Sequence, residues 1–247
     1  MRIIRAFKTL IQYYKNIMPV FLIVLILTMI LSNILPLFGM ILLLPLKISV
    51  AFVMLIALTK PNRLTYIPLH IGLRRTYYIN NVFYMTIQQI LYLTPAFIGA
   101  IIGAYIYRFI ELESQRAIIV MNLIIFSIPS IVISLMLAMV PFLLADPKFD
   151  QRKKNPLRYS AFILKGSYIK LVFMRLFFVP WLLWFSSGFI ATLLTLYTTT
   201  FGGEPIIPTW ISLSWVLSLP LKVFLIDPWY QMMHADLYVS LRYKFSQ

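Results

Sequence analysis

The sequence predicts an all-α fold, a polytopic integral membrane bundle of six transmembrane helices with both termini on the cytoplasmic side. Three observations predict it. Hydrophobic residues make up 61% of the 247 and charged residues only 12%, with a mean hydropathy of +0.88, whereas a soluble domain is about half apolar and about a quarter charged. Six apolar stretches approach or exceed the roughly 20 residues that a helix needs to cross hydrocarbon. Lysine and arginine are concentrated in alternate connecting loops, the bias that orients a membrane protein.

In chain order, the expected spans are 17–35, 40–59, 82–107, 117–144, 171–194 and 208–226, forming one transmembrane domain over 1–247 without a soluble domain or a clear internal repeat. The first follows a basic N-terminal arm. Its apolar run is too long for a signal peptide and no small-residue cleavage site follows, so it reads as an uncleaved span. SNILPLFG, Ser32–Gly39, is the tight turn into the second, and RFIELESQR, Arg108–Arg116, ends the third.

The N-terminal arm carries Arg2, Arg5, Lys8 and Lys15, and the second-to-third loop Lys60, Arg63, Arg74 and Arg75. The fourth-to-fifth loop carries Lys148, Arg152, Lys153, Lys154, Arg158, Lys165 and Lys170, and the tail Arg242 and Lys244. The opposite loops hold only Arg108 and Arg116, balanced by Glu111 and Glu113, and a lone Glu204. The net charge of +15 would suggest nucleic acid in a soluble protein. Here it reads as loops gathered on the cytoplasmic face, and nucleic acid is not an expected partner. Tyr13, Tyr14, Tyr77, Tyr78, Trp229 and Tyr230 fall at the inner interface, and Tyr105, Tyr107, Tyr197 and Trp210 at the outer one.

The fourth-to-fifth loop contains DPKFDQRKKNPLRYSAFILKGSYIK, Asp146–Lys170. Asn155 is a good N-cap and Pro156 suits the first helical position. Leu157, Ala161, Leu164 and Tyr168 recur at helical spacing, with Arg158 and Lys165 on a neighbouring face. This is an amphipathic interfacial helix between the fourth and fifth spans, suited to anionic lipid or to a docking partner. Arg152, Lys153, Lys154, Arg158, Lys165, Lys170, Arg74 and Arg75 form the candidate lipid or partner surface.

Within the spans lie Lys47, Arg175 and Lys222. Arg175 and Lys222 are near inner span ends and are expected to snorkel. Lys47 falls deeper, so Lys47 with Gln88 and Gln89 is the candidate intramembrane polar site. No Asp or Glu falls inside a span, which argues against a proton-coupled carrier. Pro45, Pro95, Pro129, Pro141, Pro180 and Pro220 are each expected to kink a helix and free a carbonyl. Gly99 and Gly103 form a small-xxx-small packing face. The absence of cysteine excludes disulfides, thiol nucleophiles and Cys metal sites. His70 and His234, the only histidines, are not in a metalloprotease motif and are expected at the interface, and neither a nucleophile elbow nor a P-loop occurs. No catalytic residue, cofactor or metal is expected.

AMVPFLLAD (Ala138–Asp146), NPLRYSAFILK (Asn155–Lys165), GSYIKLVFMRLFFVPWLLW (Gly166–Trp184) and DPWYQMMHADLYVSL (Asp227–Leu241) resemble a bacterial polytopic membrane family, known as domain of unknown function nine hundred and seventy-five. The likeness covers about half the chain, matches loosely at LPLKISVAF (Leu44–Phe52), and departs at Pro180, where the family tends to have glycine. It implies a fold, a topology and a bacterial cytoplasmic membrane, and no reaction. The expected function is a non-enzymatic membrane component acting with partners, in export of, or protection against, membrane-active peptides or lipids. The alternatives are an ABC-type permease needing a separate ATPase, with LHIGLRRTYYIN (Leu69–Asn80) as coupling helix, and a membrane-embedded lipid-modifying enzyme around Lys47, Gln88 and Gln89.

Overall fold

The protein is described here by a computed structural model covering residues 2–34, 36–59, 75–107, 125–126, 128–149, 154–181, 183–184 and 209–245. Among these residues the regular elements are helices and none is a strand. In order they are α1 (Arg2–Gln12), α2 (Tyr14–Ile34), α3 (Pro36–Thr59), α4 (Arg75–Tyr107), α5 (128–136), α6 (Val140–Ala145), α7 (Pro156–Leu164), α8 (168–181), α9 (Thr209–Leu221), a π-helical turn Lys222–Ile226, and α10 (Asp227–Phe245). Two helical stretches, Ile79–Gly99 and Ile128–Ala145, are long and apolar enough to cross a membrane, and Lys47–Thr59 is a shorter apolar helix.

α4 is inside out relative to a helix of a water-soluble fold. Ile79, Phe83, Ile90, Leu93, Phe97, Ile101 and Tyr105 project outward, while Asn81, Met85, Gln88 and Gly99 are buried. α8 is apolar on both faces, with Ile169, Phe173, Leu176 and Phe177 exposed and Leu171, Met174 and Phe178 buried. So much apolar surface turned outward marks a face met by membrane or by another protein surface. α4 also begins seven residues before the expected span, at Arg75 instead of residue 82, because Thr76–Asn81 is polar enough to lower the hydropathy yet compatible with helix.

Gly99 faces the fourth expected span. A Cβ there would lie 2.6 Å from the ring of Phe126 and 2.9 Å from its Cβ, so rotating the ring cannot clear it. Gly99→Ala is expected to destabilise by about 1–3 kcal/mol, with the loss recovered when Phe126→Ala is added; melting temperatures in detergent for the single and double variants test it. Gly103 lies on the same helix, outside the described packing.

The fourth expected span is not one continuous helix. It breaks at 137–139 between α5 and α6. Pro141 has no N–H, which deprives the Leu137 carbonyl of its usual partner. That carbonyl accepts from Gln88 Nε2 at 3.0 Å and from the Val140 amide at 3.2 Å. Ser160 of α7, fully buried, bridges the break: its hydroxyl donates to the Met136 carbonyl at 2.7 Å and accepts from the Met139 amide at 3.2 Å. Ser160→Ala is expected to leave that buried amide unmet at a cost of about 1–3 kcal/mol, seen as a lower unfolding midpoint against SDS in mixed micelles. Pro228 acts in the same way on Phe224, whose carbonyl accepts from the Tyr14 hydroxyl at 3.0 Å. The π-helical turn lies just before that proline.

α7 starts as its sequence suggests, with Asn155 accepting from the Leu157 amide at 2.9 Å and Pro156 in the first turn. Its buried face is rotated from the expected one. Pro156, Ser160, Ile163 and Leu164 are buried, while Leu157, Ala161 and Tyr168 are half-buried. The break in the fourth span draws Ser160 inward, and the rest of the helix follows.

The largest departure is the C-terminus. The segment expected to be a tail is α10, and residues 232–239 are buried on every face. It packs against α1, α3 and α7. The carboxylates of Asp236 and Asp146 make this possible, Asp146 by facing Arg242 at 2.9 Å. Asp236 lies 3.2 Å from Arg5 and 4.0 Å from Arg2 of α1, and Arg2 also bonds Ser240. Trp229 donates its indole N–H to the Ile3 carbonyl at 3.0 Å and packs on Phe7. Both chain ends are thereby locked into one unit.

Candidate functional site

Pairing and burial gather at two places around α10. The first is a closed lock. Asp146, at the end of α6, is held by its position before Pro147, with its Oδ1 accepting from the Lys148 amide at 2.9 Å. Its Oδ2 accepts from the Tyr238 hydroxyl at 2.8 Å and faces Arg242 at 2.9 Å. Phe142 stacks on the Tyr238 ring at 6.0 Å. Burial, and then the neighbouring carboxylate, push the Tyr238 phenol well above its ordinary range, so it remains a hydrogen-bond donor. This set is satisfied and structural.

The second place is not satisfied. Gln88 on α4 is buried, and its Nε2 bonds Tyr92 as well as Leu137. One turn before Leu137, Ser134 accepts from Arg175 of α8 through its hydroxyl at 2.6 Å and its carbonyl at 3.2 Å. Phe178, one turn beyond Arg175, meets the Tyr230 ring of α10 edge-on at 5.3 Å. Tyr230 in turn lies 4.3 Å from the His234 ring. His234 Nδ1 is 2.8 Å from the Tyr230 carbonyl, so Nδ1 carries the proton, because a carbonyl only accepts. Burial first, and then the positive charge of Arg175, lower the His234 pKa to about 3. The ring is therefore neutral at physiological pH and Nε2 is a bare acceptor. Three buried atoms here have no partner among the described residues: Gln88 Oε1, Arg175 Nε and His234 Nε2.

The residues singled out from sequence are distributed as follows. Gln88 is buried in this cluster, Gln89 is half-buried beside it on α4, and Lys47 is exposed on α3. Lys154, Arg158, Lys165 and Lys170 are exposed, and Lys154 sits over the Tyr159 ring at 4.7 Å. Arg152, Lys153, Arg74 and His70 lie outside the described residues, as does the side chain of Arg75. Two expectations are corrected. Arg175 turns inward to Ser134 instead of snorkelling, since the broken fourth span offers it a hydroxyl and a carbonyl. His234 is buried instead of interfacial, because α10 is a core helix. Lys222, also expected to snorkel, meets Asp227 at 2.7 Å.

From sequence Arg175 and His234 are placed at the interface and left out of the candidate polar site, although both are polar residues in apolar surroundings. Comparison with protein-family models, curated proteins and solved structures gives no match to this chain.

Proposed function

We propose that the chain is a six-span bundle of a bacterial cytoplasmic membrane, with both termini cytoplasmic, that works non-enzymatically with partners. Its role is in export of, or protection against, membrane-active peptides or lipids. One observation carries this reading. The unit locked around α10 presents cations and apolar side chains together. On α1 and the start of α2 these are Ile4, Lys8, Ile11 and Lys15; on α7 and α8 they are Arg158, Phe162, Lys165, Ile169 and Lys170. A basic face studded with apolar side chains suits the headgroup region of an anionic membrane. Of the basic residues at the chain ends, Arg2, Arg5 and Arg242 are engaged by Asp236 and Asp146, so among the described side chains Lys8 and Lys15 remain for lipid or a partner.

The chain has no cysteine, so single reporters are readily placed. Cysteines at Lys8 and Lys165 are expected to react with an impermeant maleimide only when the cytoplasmic side is open; labelling from opposite sides would overturn the topology. A photo-crosslinker at the same positions should capture anionic lipid or a protein partner in the host membrane. A stoichiometric ATPase among the captured proteins would make the chain a permease subunit. Substantial solute transport by the purified protein alone in liposomes would refute a role that depends on partners.

A further inference from the structure

We infer that Arg175, His234 and Gln88 bind an anionic phosphate group that also offers hydroxyl hydrogens, either a glycerophosphate lipid headgroup or phosphate itself. Each residue specifies part of that ligand. Arg175 brings a full positive charge into a half-buried position, and its two described partners, the hydroxyl and carbonyl of Ser134, are uncharged. Its buried Nε–H still requires an acceptor, and a cation withdrawn from water is best met by an anion. Gln88 spends its amide N–H groups on Tyr92 and Leu137, leaving Oε1 as an acceptor. His234 spends its N–H on Tyr230, leaving Nε2 as a second acceptor.

The complement of one charged donor and two acceptors is an anionic oxygen with two hydroxyl hydrogens. A carboxylate or a bare phosphodiester would meet Arg175 but set negative charge against two unshared lone pairs. An ammonium ligand would meet the acceptors but face Arg175. Phosphate monoanion has the required set, and so does a glycerophosphate headgroup with free hydroxyls. Gln88 and His234 are buried, while Ser134, Tyr92, Tyr230 and Arg175 are half-buried. Val132 and Phe173 are exposed apolar residues on the two helices that carry Ser134 and Arg175, surface on which the chains of a bound lipid would rest in hydrocarbon. The lipid arm rests on the membrane reading proposed above; the phosphate arm does not.

The test is made on wild-type protein, delipidated in detergent, with retained ligand counted by native mass spectrometry and competition measured by tryptophan fluorescence. The probes are phosphatidylglycerol, phosphatidylethanol and inorganic phosphate. The two lipids share the phosphodiester charge, but only the first has free hydroxyls. Phosphatidylglycerol or phosphate is expected to bind at least about tenfold tighter than phosphatidylethanol, with the preference lost in Arg175→Gln and in His234→Asn. Preference for phosphatidylglycerol without competition by phosphate assigns the site to a lipid headgroup; competition by phosphate assigns it to the phosphate chemistry shared by both. Equal binding of the two lipids without phosphate competition, or no binding, overturns the inference. The comparison of lipids on wild-type protein stands even if a variant fails to fold.

Discussion

Arg242→Ala is expected to destabilise the protein by about 3 kcal/mol or more, the loss seen when one member of a buried ion pair is removed and the other is left behind. Asp146 is almost wholly buried, and without Arg242 its charge would rest on the Tyr238 hydroxyl and the Lys148 amide alone. Arg5→Ala should cost less. Asp236 is equally buried but retains Arg2 at 4.0 Å and loses a partner that is largely exposed, and exposed pairs contribute about 0–1 kcal/mol. The double replacement Asp146→Leu with Arg242→Met should recover most of the single loss, because no uncompensated charge remains. Unfolding midpoints in SDS mixed micelles would show the order Arg242→Ala well below Arg5→Ala, with the double variant between Arg242→Ala and wild type. Equal midpoints for Arg242→Ala and wild type would mean that the lock contributes nothing.

The second large effect is on pH dependence. His234 has a folded-state pKa of about 3, against 6.5 for the free side chain. Between those values the unfolded chain binds a proton that the folded chain refuses, so the folded state is favoured as pH rises. The contribution is complete above the unfolded value and falls as pH drops below it, at up to about 1.4 kcal/mol per pH unit. Between about pH 7.5 and about pH 5 this predicts a loss of about 2 kcal/mol from this residue. His234→Asn preserves a donor toward the Tyr230 carbonyl and cannot titrate in this range. Its stability should be lower than wild type at neutral pH and much flatter toward acid. Parallel acid profiles for the two proteins would contradict the burial of a neutral ring.

The segments 138–146, 155–165, 166–184 and 227–241 each supply residues to the polar network, which is completed by Gln88, Ser134 and Arg242 from outside them. Asp146 closes the first segment, Ser160 lies in the second, Arg175 in the third, and His234, Asp236 and Tyr238 in the last. From sequence they are separate stretches of moderately apolar chain. In the structure Asp146 meets Tyr238 across 92 positions of sequence, and Ser160 and Arg175 both reach the broken fourth span.

The all-helical class, the start of α7 at Asn155–Pro156 and the role of Gly99 in close packing were legible from sequence, because each follows from local chemistry. Helix periodicity, an N-cap oxygen and a missing Cβ act within a few residues of where they are read. The burial of α10, the inward turn of Arg175 and the rotation of α7 were not legible. Hydropathy treats each charge as a cost to be kept in water, and α10 contains Asp227, Asp236, His234, Arg242 and Lys244. Its centre is buried because Arg2 and Arg5 from the far end of the chain neutralise Asp236, and because Tyr238 and Arg242 find Asp146. Pairing over that distance is set by packing. The same holds at Leu137: Pro141 shows in the sequence that a carbonyl is freed, but only the tertiary structure decides that Gln88 takes it up.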